Sequence, residues 1–300
     1  MARSASQNSA IGVFYLARGA DENALEKFQA FQASYRRWPA GVEHQLCVIF
    51  KGFANRAELI PAQDVFRGLS HRAIYVDDAG YDLGAYLAAA ARVDHENVCF
   101  LNTASEILGS DWLLKLAVNF AQPGVGMVGC TASYEAPQHP GRQNVPFPNP
   151  HLRSNAFMIR RDQFLAMRPD APLTDKIDVH LFEHGKNGIT RRIASQGSRT
   201  VLVGRNGRGY EPAWWVGSQT FRQGTQANLL VADNQTKTYE KAPLVEKRVL
   251  FQMCWGDTAP GEVDSVLLGR SGQIESSRAG GFADAEVKEH KNLGFKSVAY

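Results

Sequence analysis

The stretch Val98-Cys-Phe-Leu-Asn-Thr-Ala-Ser-Glu106 decides how the chain is read. An apolar run ends abruptly in small polar groups, as a buried strand does when it delivers a loop to the edge of a sheet. Around it the pattern repeats. Segments 11–17, 45–50, 72–76, 97–101 and 124–130 read as strands. Between them lie helical patterns. Asp21 caps one that reaches Trp38, with Leu25, Phe28, Phe31 and Tyr35 as its apolar stripe. A second covers 57–66 and is broken by Pro61; Asp82 caps a third over 83–93; Ser110 or Asp111 caps a fourth that ends at Phe120. Strand and helix alternating at this spacing predict an α/β fold, with a mostly parallel central sheet and helices on both faces. Ligands then bind at the carboxyl ends of the strands, which directs attention to loops 18–21, 51–55, 77–82 and 102–106.

The second half is less regular. Residues 134–150 form a long loop rich in Pro, Gly, Asn and Gln. A strand over 154–160 follows, then helical stretches over 161–167, 177–183 and 189–195, and a strand over 199–204. Residues 256–300 are rich in Gly, Ser and charge and read as a surface-packed or partly mobile extension.

Composition narrows the function. A 300-residue chain with net charge +3 has no basic excess that points to nucleic acid. Cys47, Cys99, Cys130 and Cys254 show no CxxC spacing and read as buried free thiols, which fits a reducing, cytoplasmic setting. No run approaches the about 20 apolar residues of a membrane span, and the apolar N-terminal run is too short for a signal peptide. Neither G-x-G-x-x-G after the first strand nor a P-loop is present, so the dinucleotide and P-loop readings lose their mechanism. G-x-S-x-G and HExxH are absent too.

The segment 81–116, "YDLGAYLAAAARVDHENVCFLNTASEILGSDWLLKL", resembles the core of family 2-like glycosyltransferases with the GT-A fold. The resemblance continues through "GVGMVGCTASYE", "NPHLRSNAFMIRRDQF" and "FEHGKNGITRRIASQGSRTVLVGRNG", and covers roughly residues 10–255. The variant it resembles most acts in bacterial surface-polysaccharide synthesis. It implies a glycosyltransferase domain over 1–255, with a nucleotide-binding half at about 10–130 and an acceptor half at about 150–255. The implied reaction moves a sugar from a nucleoside diphosphate sugar to a hydroxyl of a glycan or lipid-linked glycan, with inversion. Peripheral contact with a membrane is compatible with that acceptor.

The resemblance also places residues. Donor contacts fall on Arg18, Lys51, Asp78, Asp82, Asn102, Thr103, Ser105, Arg153 and Asn155. The general base falls on Glu183, with Asp178 as its rival, because that role needs a carboxylate beside the acceptor hydroxyl. Acceptor contacts fall on His184, Trp214 and Trp215, the indoles offering faces to a sugar. One departure stands out. Where the family has a D-x-D motif that holds Mg²⁺ or Mn²⁺, this chain has Asn102-Thr-Ala-Ser105. Neutral groups hold a divalent cation weakly, so a metal is doubtful there and its identity unknown. Arg153 and Lys176 are the cations that can stand in for it. Two other readings stay open: a sugar-phosphate nucleotidyltransferase, and a non-catalytic nucleotide- or glycan-binding protein derived from this fold.

Overall fold

A computed structural model of the chain describes residues 10–258. The expected extension, 256–300, lies almost entirely outside the described residues. The elements are β1 (Ile11–Arg18), α1 (Ala24–Arg37), β2 (Gln45–Lys51), α2 (Arg56–Phe66), β3 (Arg72–Tyr75), α3 (Tyr81–Ala90), β4 (Asn97–Leu101), β5 (Glu106–Ile107), α4 (Trp112–Phe120) and β6 (Val125–Gly129). They continue with β7 (Ala132–Ser133), β8 (His151–Leu152), β9 (Ala156–Arg160), α5 (Arg161–Ala166), α6 (Lys176–His184), α7 (Ile189–Ser195), β10 (Arg199–Val203), β11 (Gly209–Tyr210), β12 (Val231–Ala232), α8 (Asn234–Lys241) and α9 (Leu244–Trp255).

Among the described residues the main sheet has eight strands in the order β11-β10-β6-β9-β4-β1-β2-β3. β3, β2, β1 and β4 run parallel, and β10 is parallel to β6. Between β4 and β6 sits β9, antiparallel to both. The mostly parallel α/β sheet is the one expected; the reversed strand inside it is a departure. Its cause is the connection. The chain reaches β9 through the short β7–β8 hairpin on the rim, with no crossover helix, so it enters the sheet from the carboxyl edge and runs backwards.

Both faces are covered. Successive residues of a strand point to opposite faces, so Phe14 and Tyr15 serve different cores. Tyr15 packs with Phe28 and Phe31 of α1, Phe66 of α2 and Trp112 of α4. Phe14 packs with Tyr86 of α3, Phe164 of α5, Phe182 of α6 and Ile193 of α7. Burial on two faces explains why the strands read as continuous apolar runs. Phe100 centres the second core. Its ring lies 4.6 Å from Tyr86, 5.0 Å from Phe164 and 5.2 Å from both Phe14 and Phe157. All four cysteines are buried and unbridged.

Several local expectations are corrected. α1 starts at Ala24 behind Asn23, and Asp21 pairs with Arg18 and Lys27 instead of capping. Leu25 is exposed, whereas Phe28 and Phe31 are buried. Pro61 does not break α2. The helix is capped by the Asn55 side chain and continues past the one bond that proline cannot donate. α3 begins at Tyr81 with Gly80 in the left-handed region (φ 70°), so Asp82 lies inside the first turn rather than at the cap. Beyond these corrections, Asp233 and Thr236 form a capping box, exchanging side-chain and backbone hydrogen bonds, and start α8. α8 and α9 were not anticipated.

Because Phe100 anchors the strand that carries Asn102, Phe100→Ala is expected to cost about 3–5 kcal/mol. Equilibrium urea unfolding of the full chain measures it.

Candidate active site

The β4–β9 register sets the site. Leu101 pairs with Ala156, so the end of β4 meets the beginning of β9. Asn102 N–H donates to the Asn155 carbonyl at 2.9 Å, and the Ser105 hydroxyl donates to Asn102 Oδ1 at 3.0 Å. Above this junction opens a cleft of about 410 Å³. Asp82, Asn102, Arg153, Asn155, Glu183 and His184 all line it, each expected from the sequence.

Glu183 sits near the end of α6. Its Oε1 accepts the Ser154 N–H at 2.6 Å, and no partner takes Oε2 among the described residues. Burial alone would raise its pKa. The neighbouring His184 and His151 rings in their protonated forms, the Ser154 N–H and Arg153 act against burial and hold it below the usual value, so the carboxylate is ionised. Asp82 behaves in the opposite way. Burial, then the Asp21 carboxylate, push it up to about 6 against the pull of Lys51.

The cations are prearranged. Arg153 Nη1 lies 3.0 Å from the buried Asp233 carboxylate, an ion pair without aligned hydrogen-bond geometry. Its guanidinium stands 4.1 Å from the Phe221 ring centre. Arg222 donates to Glu135 and to Gln235, each at 3.0 Å, and lies 5.0 Å from the same ring. The sequence reading missed Arg222 and Glu135. Arg222 is delivered by a tightly wound segment in which Gln219, Arg222 and Gln226 all have positive φ, and nothing in periodicity announces such a turn. Lys176, at the start of α6, lines the cleft with no ion-pair partner among the described residues. Asn155 Oδ1 accepts the Thr131 hydroxyl, which leaves its buried Nδ2 unpartnered there too.

Other expected site residues lie elsewhere. Arg18 forks onto both oxygens of Asp78 at 3.0 Å and also holds Asp21. Lys51 is buried, and its ammonium donates to the Ala79 and Tyr81 carbonyls at 2.6 and 2.7 Å. These groups brace the ends of β1, β2 and β3. Thr103 and Ser105 are buried beneath the loop, and the Thr103 carbonyl accepts the Tyr15 hydroxyl. Asp178 does not enter the cleft. It accepts from Thr174 and faces Arg142 at 3.4 Å. Trp215 is fully buried and donates to the Tyr210 carbonyl, and Trp214 packs against the same core. The Trp215 indole, locked in the core, offers no face to a sugar, and the half-buried Trp214 does not line the cleft.

Among the described residues, no group of three or more His, Cys, Asp or Glu side chains is gathered to hold a metal ion. Asn102 Oδ1 is already engaged by Ser105 and Glu135 by Arg222, and Glu183 keeps one free oxygen. The loop after β4 therefore offers a divalent cation neutral oxygens only, and the carboxylates of the cleft are not gathered around one point.

No family model and no curated protein matches the sequence. Among solved structures, the chain is similar to the mannosyltransferase PcManGT from Pyrobaculum calidifontis, in complex with GDP-Man and Mn²⁺. That likeness has 11% identity and a TM-score of 0.47 over 97% of this chain and 83% of that chain. It is also similar to the 4-diphosphocytidyl-2C-methyl-D-erythritol synthase of Anaerococcus prevotii, at 13% identity and a TM-score of 0.38 over 58% and 82%. The galactosyltransferase LgtC, in complex with donor and acceptor sugar analogs, follows at 12% identity and a TM-score of 0.35 over 52% and 59%. Likeness at these values decides nothing about chemistry, and what the cleft does is read from its own side chains.

The Asp82 environment gives a signed prediction. A carboxyl whose folded pKa is raised to about 6 binds its proton more tightly folded than unfolded. Stability is then highest below the ordinary carboxylate value and declines as pH rises through about 6. Asp82→Asn is expected to stabilise the chain by about 1–2 kcal/mol above that pH and to have little effect near pH 4. Urea unfolding as a function of pH checks both halves.

Proposed function

We propose that this chain is a GT-A-like glycosyltransferase. It takes a sugar from a nucleoside diphosphate sugar and passes it, with inversion, to a hydroxyl of a glycan or lipid-linked glycan. The observation that carries the reading is one ionised carboxylate with a free oxygen, Glu183 Oε2, in a cleft that also holds two buried guanidiniums.

In this reading the donor diphosphate lies over Asn102 and Asn155, whose amides donate to its oxygens. Arg153, Arg222 and Lys176 meet its charge in place of a metal. Asp82 accepts a donor hydroxyl. The acceptor hydroxyl approaches Glu183. As its oxygen bonds to the anomeric carbon, the bond to the diphosphate breaks and the proton passes to Oε2. A carboxylate with a lowered pKa serves because the hydroxyl becomes acidic only as the new bond forms. The Ser154 N–H keeps Oε1 fixed, so the free oxygen has one direction to face.

A thermal-shift screen of the full chain against UDP, GDP, TDP and CMP selects the nucleotide, because a bound ligand stabilises the folded state by mass action. With that donor, Glu183→Gln is expected to lower transfer by about 10²-fold or more while leaving the donor-induced thermal shift in place. Transfer by the unmodified chain is expected to continue in EDTA. A stabilising nucleotide without turnover of any donor and acceptor pair would instead favour the binding-protein reading. Release of pyrophosphate from a nucleoside triphosphate and a sugar phosphate would favour the nucleotidyltransferase.

A further inference from the structure

Four imidazoles stand in a row that runs from the cleft, lined by His151, His180 and His184, out to His139 beside it, and the proposed transfer uses none of them. His139 belongs to the 134–150 loop, His180 and His184 lie one turn apart on α6, and His151 is in β8. Ring centres are 5.5 Å apart from His139 to His180, 5.5 Å from His180 to His184 and 4.7 Å from His184 to His151. His151 Nδ1 donates to the Asn149 carbonyl at 2.8 Å. His139 Nε2 and His180 Nδ1 are buried without a partner among the described residues.

The loop is held unevenly. Its base is tied by Tyr134 N–H to the Cys254 carbonyl, by Asn149 N–H to the Tyr134 carbonyl and by Arg191 on Asn149 Oδ1. Glu135 adds the pair with Arg222. Its tip reaches α6 through two polar or ring contacts among the described residues. One is the ring contact of His139 with His180; the other is the 3.4 Å approach of Arg142 to Asp178, which water screens.

We propose that the histidine row is a pH-sensitive latch: neutral rings hold the tip of the 134–150 loop against α6 beside the cleft, and protonation of the row releases it. This goes beyond the transfer reading and does not depend on it. The rings meet in tilted pairs, at 33–34° to one another, which uncharged imidazoles tolerate and adjacent imidazoliums do not, because they repel. The charged and titratable groups facing the row come from every side. His180 faces His184, Glu183, Lys176 and His139; His184 faces His151, Glu183, Glu135 and His139; His151 faces Glu183, Arg153 and Arg191. Glu183 and Glu135 favour the charged rings, but burial dominates. It lowers His151 and His180 and takes His184 down to about 4. Groups with lowered folded values are neutral in the closed state. The closed loop therefore loses stability as pH falls below the ordinary histidine value of about 6.5 toward the folded values.

Hydrogen exchange of the full chain, without donor or acceptor, tests the latch. After correction for intrinsic exchange, amides of 137–147 are expected to exchange on the order of tenfold faster at about pH 5.5 than at about pH 7.5, while β1 and β4 stay protected. His180→Phe stacks but cannot titrate, and is expected to flatten that response. His139→Ala, on the loop side, removes the ring contact with His180, is expected to leave exchange of 137–147 fast at both pH values, and supplies the test should His180→Phe fail to fold. Equal protection of 137–147 at the two pH values in the wild-type chain overturns the proposal. So does a wild-type pH response that survives in a folded variant of either histidine. Neither result bears on whether sugar is transferred.

Discussion

The antiparallel pairing of β9 with β4 is the constraint on which the rest of the molecule depends. It brings the last residue of one strand beside the first of the other, Leu101 against Ala156. The loop that follows β4 and the loop that precedes β9 then have to share the same few ångströms of sheet edge. Asn102 and Asn155 are joined there by a backbone hydrogen bond, and Arg153 and Ser154 come with them. Were β9 parallel, residues 151–155 would lie at the opposite edge and Glu183 would lose the Ser154 N–H that orients it.

Charge compensation at that edge takes an unusual form. The loop after β4 presents neutral groups, and the formal positive charge is carried by arginines anchored on one aromatic ring, Phe221. Each guanidinium already has a carboxylate partner, Asp233 for Arg153 and Glu135 for Arg222. Buried pairs of this kind are costly to break by removing one member, and they hold geometry more than they add stability. Arg153 still has donors to spare, and its pair with Asp233 fixes where they lie. Asp233 in turn is fixed as the cap of α8. A helix start, an ion pair and a cation–π contact thus converge on a single guanidinium position.

Much of the sheet is legible in the sequence, because burial on two faces leaves uninterrupted apolar runs. Glu183, Asp82, Asn102, Arg153 and Asn155 are legible through the family resemblance, which names them, and not through the runs themselves. What sequence does not reveal has specific causes. Lys51 looks like a phosphate ligand at a strand end, yet two carbonyls claim its ammonium. Trp215 looks like a sugar platform, yet the core claims it. Arg222 rides on a turn whose left-handed residues are glutamine and arginine as well as glycine, so no turn signature marks it. The histidines come from a loop, a helix and a strand, and only the fold lines them up.

The most direct measurement is a crystal structure of the full chain soaked, in EDTA, with the nucleotide sugar that gives the largest thermal shift. The account predicts the diphosphate within hydrogen-bonding distance of Arg153 and the Asn102 and Asn155 amides, with the anomeric carbon open on the side of Glu183 Oε2. A sugar nucleotide seated away from the β4–β9 junction, or one that enters it only with a divalent cation bound, would contradict it.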